Sequence, residues 1–107
     1  MKKEYYKNLP ELQRERLESY VPAVTKVINE WDYLNIFPGA PEDYYEREIY
    51  AICFHMGLAA LMKNGLDFLR ITQIVYIEMA HSFSILEIDE KMCREPARKI
   101  FEEINKE

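Results

Sequence analysis

Apolar residues recur at helical spacing along most of the chain, and Pro and Gly mark where the predicted helices begin and end. The segment Asn8-Leu9-Pro10-Glu11 is typical of a helix start. Ser19 is predicted to cap a second helix that has Pro22 in its first turn and runs to Trp31. The two segments can also form one kinked helix. The apolar stripe of the first segment consists of Leu9, Leu12 and Leu17.

Residues 32–40 are predicted to form a loop, because Pro38 and Gly39 are poor helix formers. Leu34, Ile36 and Phe37 make this loop unusually apolar. A fully solvated connector does not need three large hydrophobic side chains. We therefore expect the loop to fold back on the core.

The next helix is predicted to open at Pro41 and to run to Lys63, with Asn64-Gly65 as its stop. One apolar face consists of Tyr45, Ile49, Ile52, Cys53, Met56 and Ala60. A second apolar face consists of Ala51, Phe54, Leu58, Leu61 and Met62. Two apolar faces predict that this helix is the central one.

Asp67 is a suitable N-cap for a helix that runs to about Phe83. The residues expected to face inward are Ile71, Ile74, Val75 and Met79. Those expected to face outward are Asp67, Arg70, Glu78 and His81. A strand over residues 71–75 is disfavoured, because a lone strand has no partner in a helical chain. The last helix starts at Asp89 or Glu95. Its apolar stripe consists of Cys93, Ala97, Ile100, Phe101 and Ile104.

These elements predict an all-α fold in which residues 1–107 form one helical domain. The expected architecture is a small antiparallel bundle of four main helices plus an N-terminal helix, with the apolar Pro/Gly loop after the second helix.

The sequence contains no catalytic signature, so we expect a protein that is not an enzyme and that binds no cofactor or metal. His55 lies in an apolar stretch and is interpreted as a core or subsurface imidazole with a backbone partner. Glu78-Met79-Ala80-His81 has the Glu-x-x-His spacing of di-iron bundles, but a second copy is lacking, and a surface salt bridge is favoured. Cys53 and Cys93 are predicted to be reduced core thiols.

The compartment is expected to be the cytoplasm. The start of the chain lacks the apolar stretch of a signal peptide. The apolar stretch Ile49 to Met62 has 14 residues, whereas a membrane span needs roughly 20. We expect no association with a membrane.

The charge of the chain is concentrated in one segment. The formal net charge is −5, and residues 30–48 alone carry six acidic residues against Arg47, a net charge of −5. Such a balance argues against nucleic acid and favours a basic protein as the partner. Aromatic residues in and beside this segment are suited to binding. The predicted partner-binding residues are Trp31, Asp32, Tyr33, Glu42, Asp43, Tyr44, Glu46 and Glu48.

A structural interpretation of the same residues stays open. Glu42 and Asp43 can complement a helix dipole, Trp31 and Tyr45 can anchor the loop to the core, and the remaining carboxylates can be solvated.

The segment also resembles a known family. Ile28-Asn29-Glu30-Trp31-Asp32, Phe37-Pro38 and Ala40-Pro41-Glu42-Asp43-Tyr44-Tyr45-Glu46-Arg47-Glu48-Ile49 look like the pattern of the YugE-like family of small bacterial helical proteins, a domain of unknown function. The resemblance is carried by residues 24–52. It implies an all-helical fold and no assigned activity. Tyr33 stands where the family has Pro and Tyr44 where it has Glu, which implies a partner-specific role for both tyrosines.

The leading functional hypothesis is an immunity protein that neutralises a basic, nuclease-type bacterial toxin by direct binding. Colicin immunity proteins are an analogy of composition only. The alternative is a regulatory or scaffolding protein that forms a homodimer through the apolar loop at Leu34–Phe37. An enzyme that uses His55 or His81 ranks last.

Overall fold

The computed structural model describes residues 7–62, 65–83 and 88–106, and all regular elements within them are helices. The helices are α1 (Glu11–Trp31), α2 (Glu46–Ala59), α3 (Phe68–Ser82) and α4 (Glu90–Ile104). The predicted all-helical class is confirmed, and residues 71–75 lie within a helix rather than a strand.

The four helices close into a ring around one core. Each helix packs on the next along the chain, and α4 packs back on α1. Lys26 of α1 and Glu103 of α4 join the first and last helices at 3.0 Å between Nζ and Oε1. The largest fully buried side chains include Leu17, Ile28, Tyr45, Ile52, Met56, Ile71, Met79 and Ile100. Within the described residues, no helix combines the length and the apolar character that crossing a membrane requires.

Helix α1 is continuous and contains Pro22, which confirms the alternative that the two predicted segments form one helix. Ser19 does not cap a helix, because its hydroxyl donates to the carbonyl oxygen of Arg16 at 2.6 Å. Leu17 and Val24 are both buried on either side of the proline. Their continuous packing outweighs the one helical hydrogen bond that Pro22 cannot donate. The expectation that Leu12 faces the core is wrong, since its side chain is 60% exposed.

Helix α2 is shorter than predicted at both ends. Residues 42–45 form turns rather than a helix, with Tyr44 N–H donating to Pro41 and Glu46 N–H to Asp43. After Ala59 the N–H groups of Leu61, Met62 and Gly65 each donate to the carbonyl oxygen three residues earlier in the chain. Gly65 adopts a left-handed conformation with φ +65°. Lys63 and Asn64 of the predicted stop lie outside the described residues. Gly57 marks a close approach of α2 to α1, because a Cβ there would lie 3.6 Å from the Cβ of Arg16.

The second apolar face of α2 does not become a buried face along its whole length. Ala51 is buried, whereas Leu58, Leu61 and Met62 are 38%, 54% and 56% exposed. The prediction of a second buried face is therefore wrong for Leu58 and for Leu61 and Met62, which follow the end of α2. Each helix of the ring has two principal neighbours, which leaves one side of every helix open.

The predicted starts of α3 and of α4 at an aspartate are confirmed. Asp67 Oδ1 accepts a hydrogen bond from Arg70 N–H at 2.8 Å, and Asp89 Oδ1 accepts one from Met92 N–H at 2.9 Å. The start of α4 at Asp89 rather than Glu95 places Pro96 inside the helix, where it is buried. All four inward residues predicted for α3 are buried.

Replacement of Asp67 by alanine should lower the free energy of unfolding by about 1 kcal/mol, because the Arg70 N–H loses its acceptor. Urea unfolding followed by circular dichroism measures the change. Asp67→Asn is the matched control and should retain nearly all of the stability, since asparagine caps helices equally well. Equal losses in both variants would show that the charge, and not the cap, is what matters.

Candidate functional site

The loop that follows α1 is organised by the carboxylate of Asp32. Asp32 ends the helix in a left-handed conformation with φ 43°, and its own N–H donates to Ile28 at 2.9 Å. Its Oδ1 accepts from Ile36 N–H at 3.1 Å, and its Oδ2 accepts from Phe37 N–H at 2.9 Å. The acidic side chain thus satisfies the backbone of the loop.

Tyr45 fixes the same loop from the other side. Its hydroxyl donates to Asp32 Oδ1 at 2.7 Å and accepts from Leu34 N–H at 3.1 Å. The side chain is 0% exposed. Its ring makes edge-on contacts with Phe37, Tyr44 and Phe83 at centroid distances of 5.6, 5.4 and 6.4 Å. Tyr45 is therefore the anchor of the loop, and Leu34, Ile36 and Phe37 pack against the core around it.

The hydrogen bonds in this cluster shift two pKa values in opposite directions. Burial by itself would raise the pKa of the Asp32 carboxyl, but the bonds from Tyr45, Phe37 and Ile36 bring it below its ordinary value. Burial and the bond to Asp32 raise the pKa of Tyr45 well above its ordinary value. Asp32 is thus ionised and Tyr45 neutral at physiological pH, the states that their mutual hydrogen bond requires.

A groove of about 260 Å³ lies between α1 and the start of α2, and we call it the acidic groove. Its walls are Val21, Thr25, Asn29, Glu42, Asp43, Glu46, Ile49 and Tyr50. Three of these residues are acidic, and none of the described residues that line the groove is basic. A second groove of about 420 Å³, lined by Asn29, Phe37, Pro38, Ala40 and Glu42, adjoins it through Asn29 and Glu42.

The structure brings three of the predicted partner-binding residues together in one groove. Glu42, Asp43 and Glu46 line the acidic groove. Tyr44 follows Asp43 directly and is 47% exposed. Carboxylates beside an exposed tyrosine are suited to a cationic partner, because they attract its charge while the ring supplies contact area.

Trp31 and Tyr33 are half-buried and form a ring pair with centroids 5.3 Å apart. Both side chains pack against the core cluster. Their contribution to a binding surface is limited to the part that remains exposed. The carboxylate of Asp32, which lies between them in the sequence, accepts hydrogen bonds from the backbone of the loop.

Glu48 is not part of the exposed surface. Its side chain faces the interior and is only 7% exposed, so the expectation of a solvent-facing carboxylate is wrong. Its Oε2 is buried without a hydrogen-bond partner among the described residues. Helical geometry explains the burial, because Glu48 lies one turn before the buried Ile52 on the same side of α2.

Asn29 and Thr25 are not among the predicted site residues, yet they line the acidic groove together with Val21. The three residues are four positions apart and so share one face of α1. The spacing of these residues in the sequence already indicates a shared face. Thr25 and Asn29 are polar, however, and so did not count toward the apolar stripe of the helix. Asn29 Oδ1 is also buried without a hydrogen-bond partner among the described residues.

The histidines differ from expectation. His55 pairs with a side chain rather than with the backbone, since its Nε2 lies 3.0 Å from Oε1 of Glu78 on α3. Glu78 is thus engaged across two helices, and the predicted salt bridge to His81 does not occur among the described contacts. His81 is exposed.

Cys53 and Cys93 are free and buried. Burial raises the pKa of both thiols, that of Cys93 to about 12 with a smaller contribution from Asp89 and Glu90. A thiol in such surroundings stays protonated and is a poor nucleophile. Over residues 7–62, 65–83 and 88–106, no group of three or more His, Cys, Asp or Glu side chains is arranged to hold a metal ion.

Comparison with known proteins yields no match: no family model, no curated protein and no solved structure is similar to this chain. The resemblance to the YugE-like family therefore stays a prediction.

Proposed function

We propose that this protein is a non-enzymatic binding module that recognises a basic protein through the acidic groove and Tyr44. The observation that carries the proposal is the convergence of Glu42, Asp43 and Glu46 on one groove whose described lining contains no cation. Lys26, the nearest base along α1 to this groove, is instead paired with Glu103 of α4. The described ion pairs include none of the three groove carboxylates, which are therefore available to an outside cation.

The concrete form of the proposal is a cytoplasmic immunity protein that neutralises a basic, nuclease-type toxin by direct binding. A nuclease holds its substrate with Lys and Arg side chains that neutralise phosphates. A surface of carboxylates can contact the same side chains and block access to them. The buried free thiols of Cys53 and Cys93 are compatible with a reducing compartment.

The alternative of a homodimer through Leu34–Phe37 receives no support from the position of the loop. Leu34, Ile36 and Phe37 are not fully exposed and pack against the core. The apolar surface that the loop was expected to offer is therefore mostly used within the chain.

Replacement of Tyr44 by alanine should weaken binding of the basic partner by about 2 kcal/mol, or about 30-fold, because the exposed aromatic side chain that follows Asp43 is lost. The test uses the basic protein recovered by affinity capture with the full chain. Calorimetry measures the affinity, and inhibition of that protein's nuclease activity tests the toxin assignment.

Met92→Ala is the matched control, since Met92 is a similarly exposed large side chain at 42% on α4, away from the acidic groove. Tyr33→Ala is less suitable, because the ring also packs against the core. Equal affinity of wild type and Tyr44→Ala, together with unimpaired binding by Glu42→Lys/Asp43→Lys/Glu46→Lys, would exclude this binding surface.

A further inference from the structure

Another groove, of about 310 Å³, lies between α2 and α3 and shares no residue with the acidic groove. Its walls are His55, Leu58, Ala59 and Met62 on one side and Arg70, Ile74, Ile77 and Glu78 on the other. We call it the α2–α3 groove. Three of its apolar residues remain open to solvent: Leu58, Met62 and Ile77 are 38%, 56% and 58% exposed.

Exposed apolar side chains concentrate in this part of the molecule. Of the eight large hydrophobic residues that are exposed among the described residues, five belong to α3 or to the end of α2 and its following turn. They are Leu58, Leu61, Met62, Leu69 and Ile77. Clustered exposed apolar side chains mark interaction surfaces, whereas single ones are ordinary.

The groove carries charges of both signs, so two copies of it can pair with each other. Arg70 and Glu78 lie four residues before and four residues after Ile74 on α3, which is about 6 Å along the helix in each direction. The described ion pairs do not include Arg70. Glu78 uses Oε1 for His55 and has a second carboxylate oxygen to offer. The groove thus carries the guanidinium of Arg70 and the carboxylate of Glu78, which His55 also contacts, at equal spacing along α3 from Ile74, whose side chain is only 7% exposed at the base of the groove.

We propose that the α2–α3 groove is the interface of a two-fold symmetric homodimer. In it, α3 crosses the α3 of a second copy antiparallel near Ile74, and Arg70 of each copy faces Glu78 of the other. Ile77 and Met62 of each copy fill the groove of the other. A two-fold axis generates both ion pairs at once, since an isologous interface pairs residue i with j and j with i.

A second copy fits this face better than a strongly charged partner. Residues 49–86 carry Lys63 and Arg70 against Asp67 and Glu78, so the segment that forms the face is neutral. The acidic groove, by contrast, would attract a basic protein. This dimer does not depend on the proposed function, and its interface leaves the acidic groove open.

The test is sedimentation velocity of the full chain over a range of concentrations. Wild type should show a reversible monomer–dimer equilibrium. Arg70→Glu and Glu78→Arg should each weaken the dimer at least tenfold, because each variant places two like-charged pairs in its own homodimer. An equimolar mixture of the two variants should form a heterodimer, since both of its pairs are again of opposite charge.

Ile77→Glu should also weaken the dimer, and its exposed position leaves folding intact. Arg94→Glu on the exposed side of α4 is the control and should dimerise as wild type does. Circular dichroism confirms that each variant is folded. A wild type that stays monomeric at all concentrations, single variants that dimerise normally, or a mixture that stays monomeric would each overturn the proposal.

Discussion

Replacement of Tyr45 by alanine should lower the free energy of unfolding by about 4 kcal/mol, the range seen when a large aromatic residue is removed from a core. Tyr45 is fully buried, and its ring contacts Phe37 and Phe83. The loss includes the support of the loop, because Asp32 and Leu34 both bond to the Tyr45 hydroxyl. Thermal unfolding should shift by on the order of 20 °C.

Tyr45→Phe separates the hydroxyl from the ring. It should lower the free energy of unfolding by about 2 kcal/mol, since the Leu34 N–H loses its acceptor and Asp32 loses one donor. Tyr44→Phe is the matched control, because Tyr44 is the exposed neighbour at 47% and should change stability by less than about 0.5 kcal/mol. Similar losses in the two phenylalanine variants would contradict the anchoring role of Tyr45.

The helices that the sequence predicted correctly are those specified by neighbouring residues. Asp67 and Asp89 cap α3 and α4 through bonds that reach only three residues along the chain. The inward stripe of α3 follows from periodicity alone. Such signals require no knowledge of the rest of the molecule.

The predictions of helix starts and side-chain partners were wrong where tertiary contacts determine the structure. Ser19 and Pro22 indicate a helix start, but the core contacts of Leu17 and Val24 carry α1 through both residues. The predicted helix at Pro41 is replaced by turns, which bring Tyr45 to Asp32 across 13 residues. A bond of that separation has no local signature. The side-chain partner of His55 likewise depends on how α3 packs against α2.

The candidate site was predicted in composition but not in arrangement. Three of the eight predicted residues, Glu42, Asp43 and Glu46, line the acidic groove, and the others have different positions. Asp32 organises the loop, and Glu48 is buried. Charge counting treats all carboxylates alike, whereas burial and hydrogen bonding distinguish those that can meet a partner.

The rate of association with a basic partner should depend more on the position of the acidic residues than on the total net charge. Reversal of the three groove carboxylates, in Glu42→Lys/Asp43→Lys/Glu46→Lys, should slow association with a basic partner on the order of 100-fold at low salt. The side chains line one groove, so their fields add at one place on the surface. Stopped-flow or surface plasmon resonance at increasing ionic strength measures the association rate.

The matched control is Glu11→Lys/Glu15→Lys/Glu95→Lys, which changes two exposed carboxylates of α1 and one of α4 and alters the net charge by the same amount. If only total charge matters, the two triple variants should slow association equally. If the acidic groove is the binding surface, the control variant should retain most of the wild-type rate at physiological salt, because charges beyond about 8–10 Å from the contact are screened there. Equal rates of the two triple variants at physiological salt would assign the partner to another surface.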